Sequence, residues 1–271
     1  MLIFKSINKL NKEVNFKANI GFVPTMGALH KGHISLIHKS QTKCKKTLVS
    51  IFINPSQFNK KKDYKKYPRK LTNDIKILKK LKVDYLLLPK INEIYKNKKS
   101  MKIKLSKKDK ILCGKYRPGH FEGVLGVINQ FLMNININLN YMFLGEKDYQ
   151  QIYLIKKFIK NKFKIKIITC KTKRNKNYLA LSSRNLLLSK KNLIRAENIS
   201  QYIRKYYFSL KNNFKNINKL NEIKRKIINI GAKIEYFELR NRNNLSKKYN
   251  KNNFKIFFAY YLQNIRLIDN F

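Results

Sequence analysis

Two histidines three residues apart, His30 and His33, close the segment Gly21-Phe-Val-Pro-Thr-Met-Gly-Ala-Leu-His30-Lys-Gly-His33. The apolar run 19–24 reads as a short strand, a glycine turn follows, and a helix is predicted to start near His33. Main-chain N–H groups at a helix N-terminus attract anions. Imidazoles at this spacing can face one phosphate group and donate to charge developing on an α-phosphate and a pyrophosphate leaving group. Gly32 between them allows close phosphate approach. The plain alternative is two surface histidines beside a turn. With four histidines in 271 residues, such a pair directly after a strand is a poor candidate for chance.

Three further groups extend this chemistry. Asn54 and Gln57 follow the buried run 47–53, at the end where a parallel sheet presents ligands. Gln57 and Gln151 are neutral amides with donors and acceptors, suited to hydroxyls and a carboxylate. Gly145-Glu146-Lys147-Asp148 sits between a strand-like run and a helix; Lys147 can pair with triphosphate oxygens and Asp148 can accept from ribose hydroxyls. Leu181-Ser182-Ser183-Arg184 offers two hydroxyls and a planar guanidinium fork for phosphate, or, more plainly, a capping serine pair. Together these groups fit adenylation of a carboxylate.

The elements that must position them alternate. Strands are predicted over 19–24, 47–53, 83–88, 141–144 and 164–169, and helices over 32–42, 71–81, 124–134 and 148–160. Strands separated by helices of this length imply parallel pairing through βαβ crossovers. The expected fold is α/β, a Rossmann-like doubly wound parallel sheet with ligands at the carboxyl ends of its strands. All five prolines, all four histidines and eight of nine glycines lie at or before Gly145, so the first half is the site-building half. Beyond Arg174 the pattern changes to two amphipathic helices (193–210 and 220–230) and strands at 234–239, 254–262 and 265–268, a smaller α+β unit. The expected domains are 1–174, catalytic, and 175–271, covering the site. The Lys/Asn-rich stretches 60–66 and 241–253 read as solvated loops.

The formal net charge of +48 invites a nucleic-acid reading. Of 62 basic residues only 10 are Arg, leaving 52 Lys, and the lysines are dispersed. Base readout and bidentate phosphate recognition favour Arg. Lys, Asn and Ile have A/T-rich codons and Trp, absent here, does not. The charge is therefore read as drift in an AT-rich genome, and no specific nucleic-acid partner is expected. Cys44, Cys113 and Cys170 form no CxxC pair and no disulfide framework. No apolar run approaches the roughly 20 residues that span a bilayer, and the first residues carry no signal-peptide pattern. A soluble cytoplasmic protein is expected, with no membrane partner.

The run PTMGALHxGH resembles the pantoate–β-alanine ligase family of the HxGH nucleotidylyltransferases. The resemblance covers nearly the whole chain. It continues through Ser50-Ile-Phe-Ile-Asn54-Pro-Ser-Gln57-Phe58, Asp63-Tyr-Lys-Lys-Tyr-Pro68-Arg69, Arg117-Pro-Gly-His120-Phe-Glu-Gly123-Val, Gly145-Glu-Lys-Asp148-Tyr-Gln-Gln151, Leu181-Ser-Ser-Arg184-Asn185 and Arg266-Leu-Ile-Asp-Asn270. It implies ATP-dependent joining of pantoate and β-alanine through a pantoyl adenylate. Met26, Gly27, Ala28, Leu29, His30, Lys31, Gly32 and His33 would bind ATP, as would Gly145, Glu146, Lys147 and Asp148. So would the backbone of Lys173 and the loop Leu181, Ser182, Ser183 and Arg184. His33, His30 and Lys147 would be catalytic, with His33 the family's proton donor and electrostatic stabilisation an equal reading. Gln57, Gln151 and Asn54 would bind pantoate and β-alanine. Mg²⁺ would come mainly with ATP, Asp74 being its candidate protein ligand where Asn73 marks a lost carboxylate. A homodimer is implied as well. Tyr178 and Gln263 stand where glycines are usual, Gln130 where a lysine is, and Leu139 where a proline is. Another HxGH nucleotidylyltransferase, or a basic nucleic-acid-binding protein on an inactive synthetase-like fold, are the alternatives.

Overall fold

The computed structural model describes residues 1–14, 19–95, 103–160 and 162–271. It divides into two compact units, Met1–Lys171 and Thr172–Phe271. The first contains β1 (Leu2–Phe4), α1 (Ile7–Glu13), β2 (Ile20–Thr25), α2 (Lys31–Gln41), β3 (Lys46–Ile51), α3 (Lys61–Lys66) and α4 (Leu71–Lys80). It continues with β4 (Tyr85–Leu87), α5 (Ile91–Ile94), α6 (Cys113–Tyr116), α7 (His120–Asn134), β5 (Leu139–Gly145), α8 (Tyr149–Phe158) and β6 (Lys166–Cys170).

The six strands form one sheet in the order β1-β4-β3-β2-β5-β6, every pair parallel. From β2 the chain winds outward through β3 and β4, then returns to lay β5 on the other side of β2. The winding direction thus reverses between β2 and β5, where a crevice opens at the strands' carboxyl ends. Side chains alternate along a strand. Phe22 faces α7, its ring 5.5 Å from that of Phe131. Val23 faces the other way, into a cluster with Leu36 and Ile37 of α2. Helices therefore cover both faces, and every residue of β2 except Pro24 is buried.

Three differences from the sequence expectations have simple causes. Residues 61–66 form a helix, α3, and not a loop: they have no buried residue, so no apolar period marks them. β1 and α1 were not expected; β1 is three residues long and leaves Leu2 and Ile3 exposed at the sheet edge. α7 starts at His120 rather than 124, because Pro118 and Gly119 stop the preceding turn there and not later.

The second unit contains α9 (Lys190–Asn212), α10 (Leu220–Asn229), β7 (Lys233–Asn241), β8 (Phe254–Leu262) and β9 (Ile265–Asn270). The strands make an antiparallel sheet in the order β7-β8-β9. Ala196, Ile199, Ile203, Tyr206 and Leu210, at helical spacing on α9, pack with Ile223 and Ile227 of α10 and with Phe237, Ile256 and Phe258 of the sheet. Arg174 ties the unit's start to its end: it bonds both carboxylate oxygens of Asp269 at 2.5 and 3.1 Å and lies 4.0 Å over the ring of Phe271.

Candidate active site

β2 ends at Thr25, whose Oγ1 donates to the carbonyl of Ser50 at 2.8 Å and accepts from the N–H of Gly27 at 3.2 Å. Gly27 and Ala28 then turn through the left-handed region, at φ 77° and 49°. The N–H groups of Ala28 and Leu29 consequently point into the protein, where the Asp74 carboxylate takes them at 2.8 and 2.7 Å. Asp74 is 1% exposed. Burial pushes its carboxyl up from the ordinary range, and the two amide bonds oppose that rise. The turn's amides at 28 and 29 are committed to a side chain and not to phosphate. Asp74 faces the protein interior, each of its oxygens taking one main-chain amide.

The helix after the turn opens on His30, whose Nδ1 accepts from the N–H of Gly32 at 3.1 Å. An accepting Nδ1 leaves the proton on Nε2. The rings of His30 and His33 lie 4.1 Å apart at 36°. Burial lowers His30 to about 4; the Lys147 charge adds to that and Asp148 opposes it. His33 is held well below its usual value by burial first, then by His30 and Lys147. Its Nδ1 is buried without a hydrogen-bond partner among the described residues. At neutral pH both imidazoles are uncharged.

Lys147 reaches them from the other side of the crevice. The 3₁₀ turn Glu146–Asp148 joins β5 to α8, and Lys147 Nζ is 3.1 Å from Asp148 Oδ1. The structure thus brings together the HxGH turn after β2 and the Gly145–Asp148 turn after β5, at the reversal of strand order.

Gln57 stands beside them: its Nε2 is 2.6 Å from Sδ of Met26, the first residue of the turn. Asn54, expected to touch substrate, braces this segment. It is 1% exposed. Its Nδ2 donates to the carbonyl of Gly123 at 3.1 Å, and its Oδ1 accepts from Ser56 Oγ at 2.9 Å and Tyr95 OH at 2.8 Å. Gln151 lies half-buried in the first turn of α8, with no hydrogen bond from its side chain to another described residue. The adjacent Gln150 anchors that helix by donating to the carbonyls of Asp109 and Ile111 at 3.1 and 2.8 Å. Sequence reasoning missed Asp74's anchoring role and the tasks of Gln150, His120 and Arg117. For the last two a signal existed, a Pro-Gly break between a cation and an imidazole at the head of a long apolar helix.

In the second unit, Arg174 bridges to Ala180 and the carbonyl of Lys173 accepts from the N–H of Leu181 at 3.0 Å. Ser182 Oγ accepts from the N–H of Arg184 at 3.3 Å and caps the 3₁₀ turn Ser183–Leu187; Ser183 is buried. Ser182 is therefore a cap whatever else it does. Tyr178 occupies a left-handed conformation, φ 66°, with the Arg204 guanidinium 3.9 Å over its ring.

Among the described residues no three His, Cys, Asp or Glu side chains group as a metal cage, and no helix is long and apolar enough to cross a membrane.

A parallel sheet with paired imidazoles and a lysine at its reversal point defines a nucleotide-handling α/β enzyme. The family profile described as Pantoate-beta-alanine ligase matches residues 2–271. Pantothenate synthetase of Francisella tularensis subsp. novicida (strain U112) is 41% identical over 98% of this chain and 94% of its own. That of subsp. mediasiatica (strain FSC147) is 42% identical over the same shares. Among solved structures, the pantoate-β-alanine ligase of Francisella tularensis, complexed with β-γ ATP and β-alanine, superposes with a TM-score of 0.86 at 40% identity, covering 100% of this chain and 97% of that one. Pantothenate synthetase of Thermus thermophilus gives 0.91 at 26% identity, covering 100% and 99%. The chain belongs to the pantoate–β-alanine ligase family. It is an ATP-dependent ligase that joins pantoate to β-alanine.

Proposed function

We propose that the crevice between β2 and β5 performs the first half of this ligation by forming pantoyl adenylate. A carboxylate oxygen of pantoate attacks the α-phosphorus of ATP, the bond to the β-phosphate oxygen breaks, and pyrophosphate leaves with the electron pair. The amine of β-alanine then attacks the acyl carbon, the acyl–oxygen bond breaks, AMP leaves, and the amine proton passes to solvent. The observation that carries this reading is the convergence of His30, His33 and Lys147 at the reversal of strand order, with Gln57 against Met26.

Neutral imidazoles suit the first step. His30 presents Nε2–H, a donor that can stabilise charge growing on the phosphates without first binding it as a counterion. The cation Lys147 neutralises triphosphate charge. His33 lies against His30, its ring tilted to it, and acts in the same way; with its charge suppressed, hydrogen-bond donation fits it better than a stored acidic proton. Gln57 and Gln151 hold pantoate and β-alanine. Gly145, Glu146 and Asp148 bind the nucleotide's ribose side, and Lys173, Leu181, Ser182, Ser183 and Arg184 its adenine and phosphates. Mg²⁺ is taken to arrive mainly on the triphosphate, because it keeps its waters and prefers phosphate oxygens, with Asp74 its candidate protein ligand. The domain roles given above, a cytoplasmic homodimer and the absence of a specific nucleic-acid partner belong to the same reading.

Exchange of labelled pyrophosphate into ATP tests it. Exchange that needs pantoate but not β-alanine is the expected result. Exchange without pantoate, or none until β-alanine is added, contradicts it.

A further inference from the structure

The motif Arg117-Pro-Gly-His120-Phe-Glu-Gly123 has no task in the chemistry above. The N–H of His120 donates to the carbonyl of Arg117 at 3.1 Å, closing a turn that brings the two side chains face to face. Arg117 Nη1 lies 3.2 Å from His120 Nε2. A guanidinium only donates, so Nε2 accepts and the ring proton sits on Nδ1. That Nδ1 donates to the main-chain carbonyl of Gln57 at 2.7 Å, and Arg117 Nη2 donates to the same oxygen at 3.3 Å. Arg117 is itself held, by Asn59 Oδ1 at 3.3 Å and Asp63 Oδ2 at 3.6 Å. One turn along α7, Gly123 lets the helix close on this segment: a Cβ there would meet the Ser56 carbonyl oxygen at 2.4 Å. The first turn of α7 therefore grips the loop after β3 at the residue whose amide faces the HxGH turn.

We propose that His120, as a neutral Nδ1-protonated imidazole backed by Arg117, is a positioning residue that fixes the Gln57 main chain and so aims the Gln57 side chain at pantoate. The inference rests on the reading of Gln57 as a pantoate ligand. Gln57 ends a three-residue 3₁₀ turn, Pro55–Gln57, whose own hydrogen bonding is slight. Further ties on that peptide are the Phe58 N–H to the Pro55 carbonyl at 3.1 Å and Arg117 Nη2 at 3.3 Å; losing the shorter His120 bond lets it shift, and small misplacements of a binding group carry large penalties.

Two substitutions separate the two ring contacts. In His120→Asn the amide nitrogen falls near the Nδ1 position and keeps a donor for the Gln57 carbonyl. In His120→Gln the amide reaches toward Nε2 and the Gln57 bond is lost. Steady-state pantothenate formation gives KM for pantoate and for ATP in each, with Gln57→Ala measured alongside. His120→Gln is expected to raise the pantoate KM about tenfold, the worth of one hydrogen bond, with the ATP KM within about twofold. His120→Asn should hold the pantoate KM within about threefold of the parent enzyme. An unchanged pantoate KM in His120→Gln, an equal loss in both variants, or an ATP KM that rises as much, overturns the inference. Should His120→Gln fail to fold, Arg117→Lys takes its place, since it keeps a charge but not the second bond to Gln57. A pantoate KM raised about threefold supports the proposal, and an unchanged one overturns it. If Gln57→Ala leaves the pantoate KM untouched, the reading of Gln57 falls and this inference with it. If Gln57→Ala raises it and His120→Gln does not, only the inference falls.

Discussion

The turn after β2 and the hairpins of the second unit both hold left-handed backbone, and they hold it differently. In the first, Gly27 and Ala28 are secured from inside by the buried Asp74 carboxylate, which takes the amides of Ala28 and Leu29. In the second, Tyr178 at φ 66° and Gln263 at φ 53° bear the same torsion where the family resemblance expects glycine. A side chain in that region costs about 1–2 kcal/mol. Tyr178 offsets part of it under the Arg204 guanidinium, a contact of about 0.5–1 kcal/mol. Gln263 sits exposed in the two-residue link between β8 and β9, where its side chain gains nothing comparable. Where reacting groups must be placed, a buried charge fixes the turn. At Tyr178 and Gln263, where side chains reach the surface of the second unit, the strain is tolerated.

The largest expected effect falls on the first region. His33→Ala should lower pantoate-dependent pyrophosphate exchange about 10²–10³-fold with circular dichroism unchanged. A folded variant that exchanges at the parent rate removes His33 from the chemistry. Asp74→Asn tests the anchor itself. An amide can accept one of the two N–H groups but turns its own NH₂ toward the other, leaving a buried donor unpaired at about 1–3 kcal/mol. The exchange rate should fall about tenfold or more while its dependence on Mg²⁺ concentration keeps the same midpoint. A midpoint shifted to higher Mg²⁺ would show that Asp74 also serves the metal.

Acid should weaken the same region. His30 takes a proton near 6.5 in the unfolded chain and near 4 in the folded one. Between those values the unfolded state binds more protons, so stability falls as pH drops from about 6.5 to about 4. Urea midpoints for the parent and His30→Gln across this window check the sign: the decline should be shallower in the variant. The smallest effect belongs to the second unit. Gln263→Gly should stabilise it by about 1 kcal/mol through relief of the left-handed torsion. Tyr178→Gly should gain less, because the Arg204 contact goes with the ring. Equal gains at both positions would mean that the stack contributes nothing.

The sheet, its alternation with helices and the HxGH turn were legible because each repeats a local period or a short motif. The resemblance to the ligase family was legible for the same reason and is what the comparisons show. The anchoring role of Asp74 is not legible because its partners lie 45 and 46 residues away, and no local pattern says that a helical carboxylate will turn inward. The bracing role of Asn54 is hidden because an amide held against Gly123 and Tyr95 looks, in sequence, like one aimed only at a substrate. The helix at 61–66 stayed hidden because it buries nothing.

The central claim is that pantoate attacks the α-phosphorus. Pantoate carrying ¹⁸O in its carboxylate, ligated to β-alanine by this protein, tests it in one turnover. Attack at the α-phosphorus leaves one labelled oxygen in AMP and none in pyrophosphate. Label in pyrophosphate or inorganic phosphate, with AMP unlabelled, would contradict the adenylate and the roles assigned to His30, His33 and Lys147.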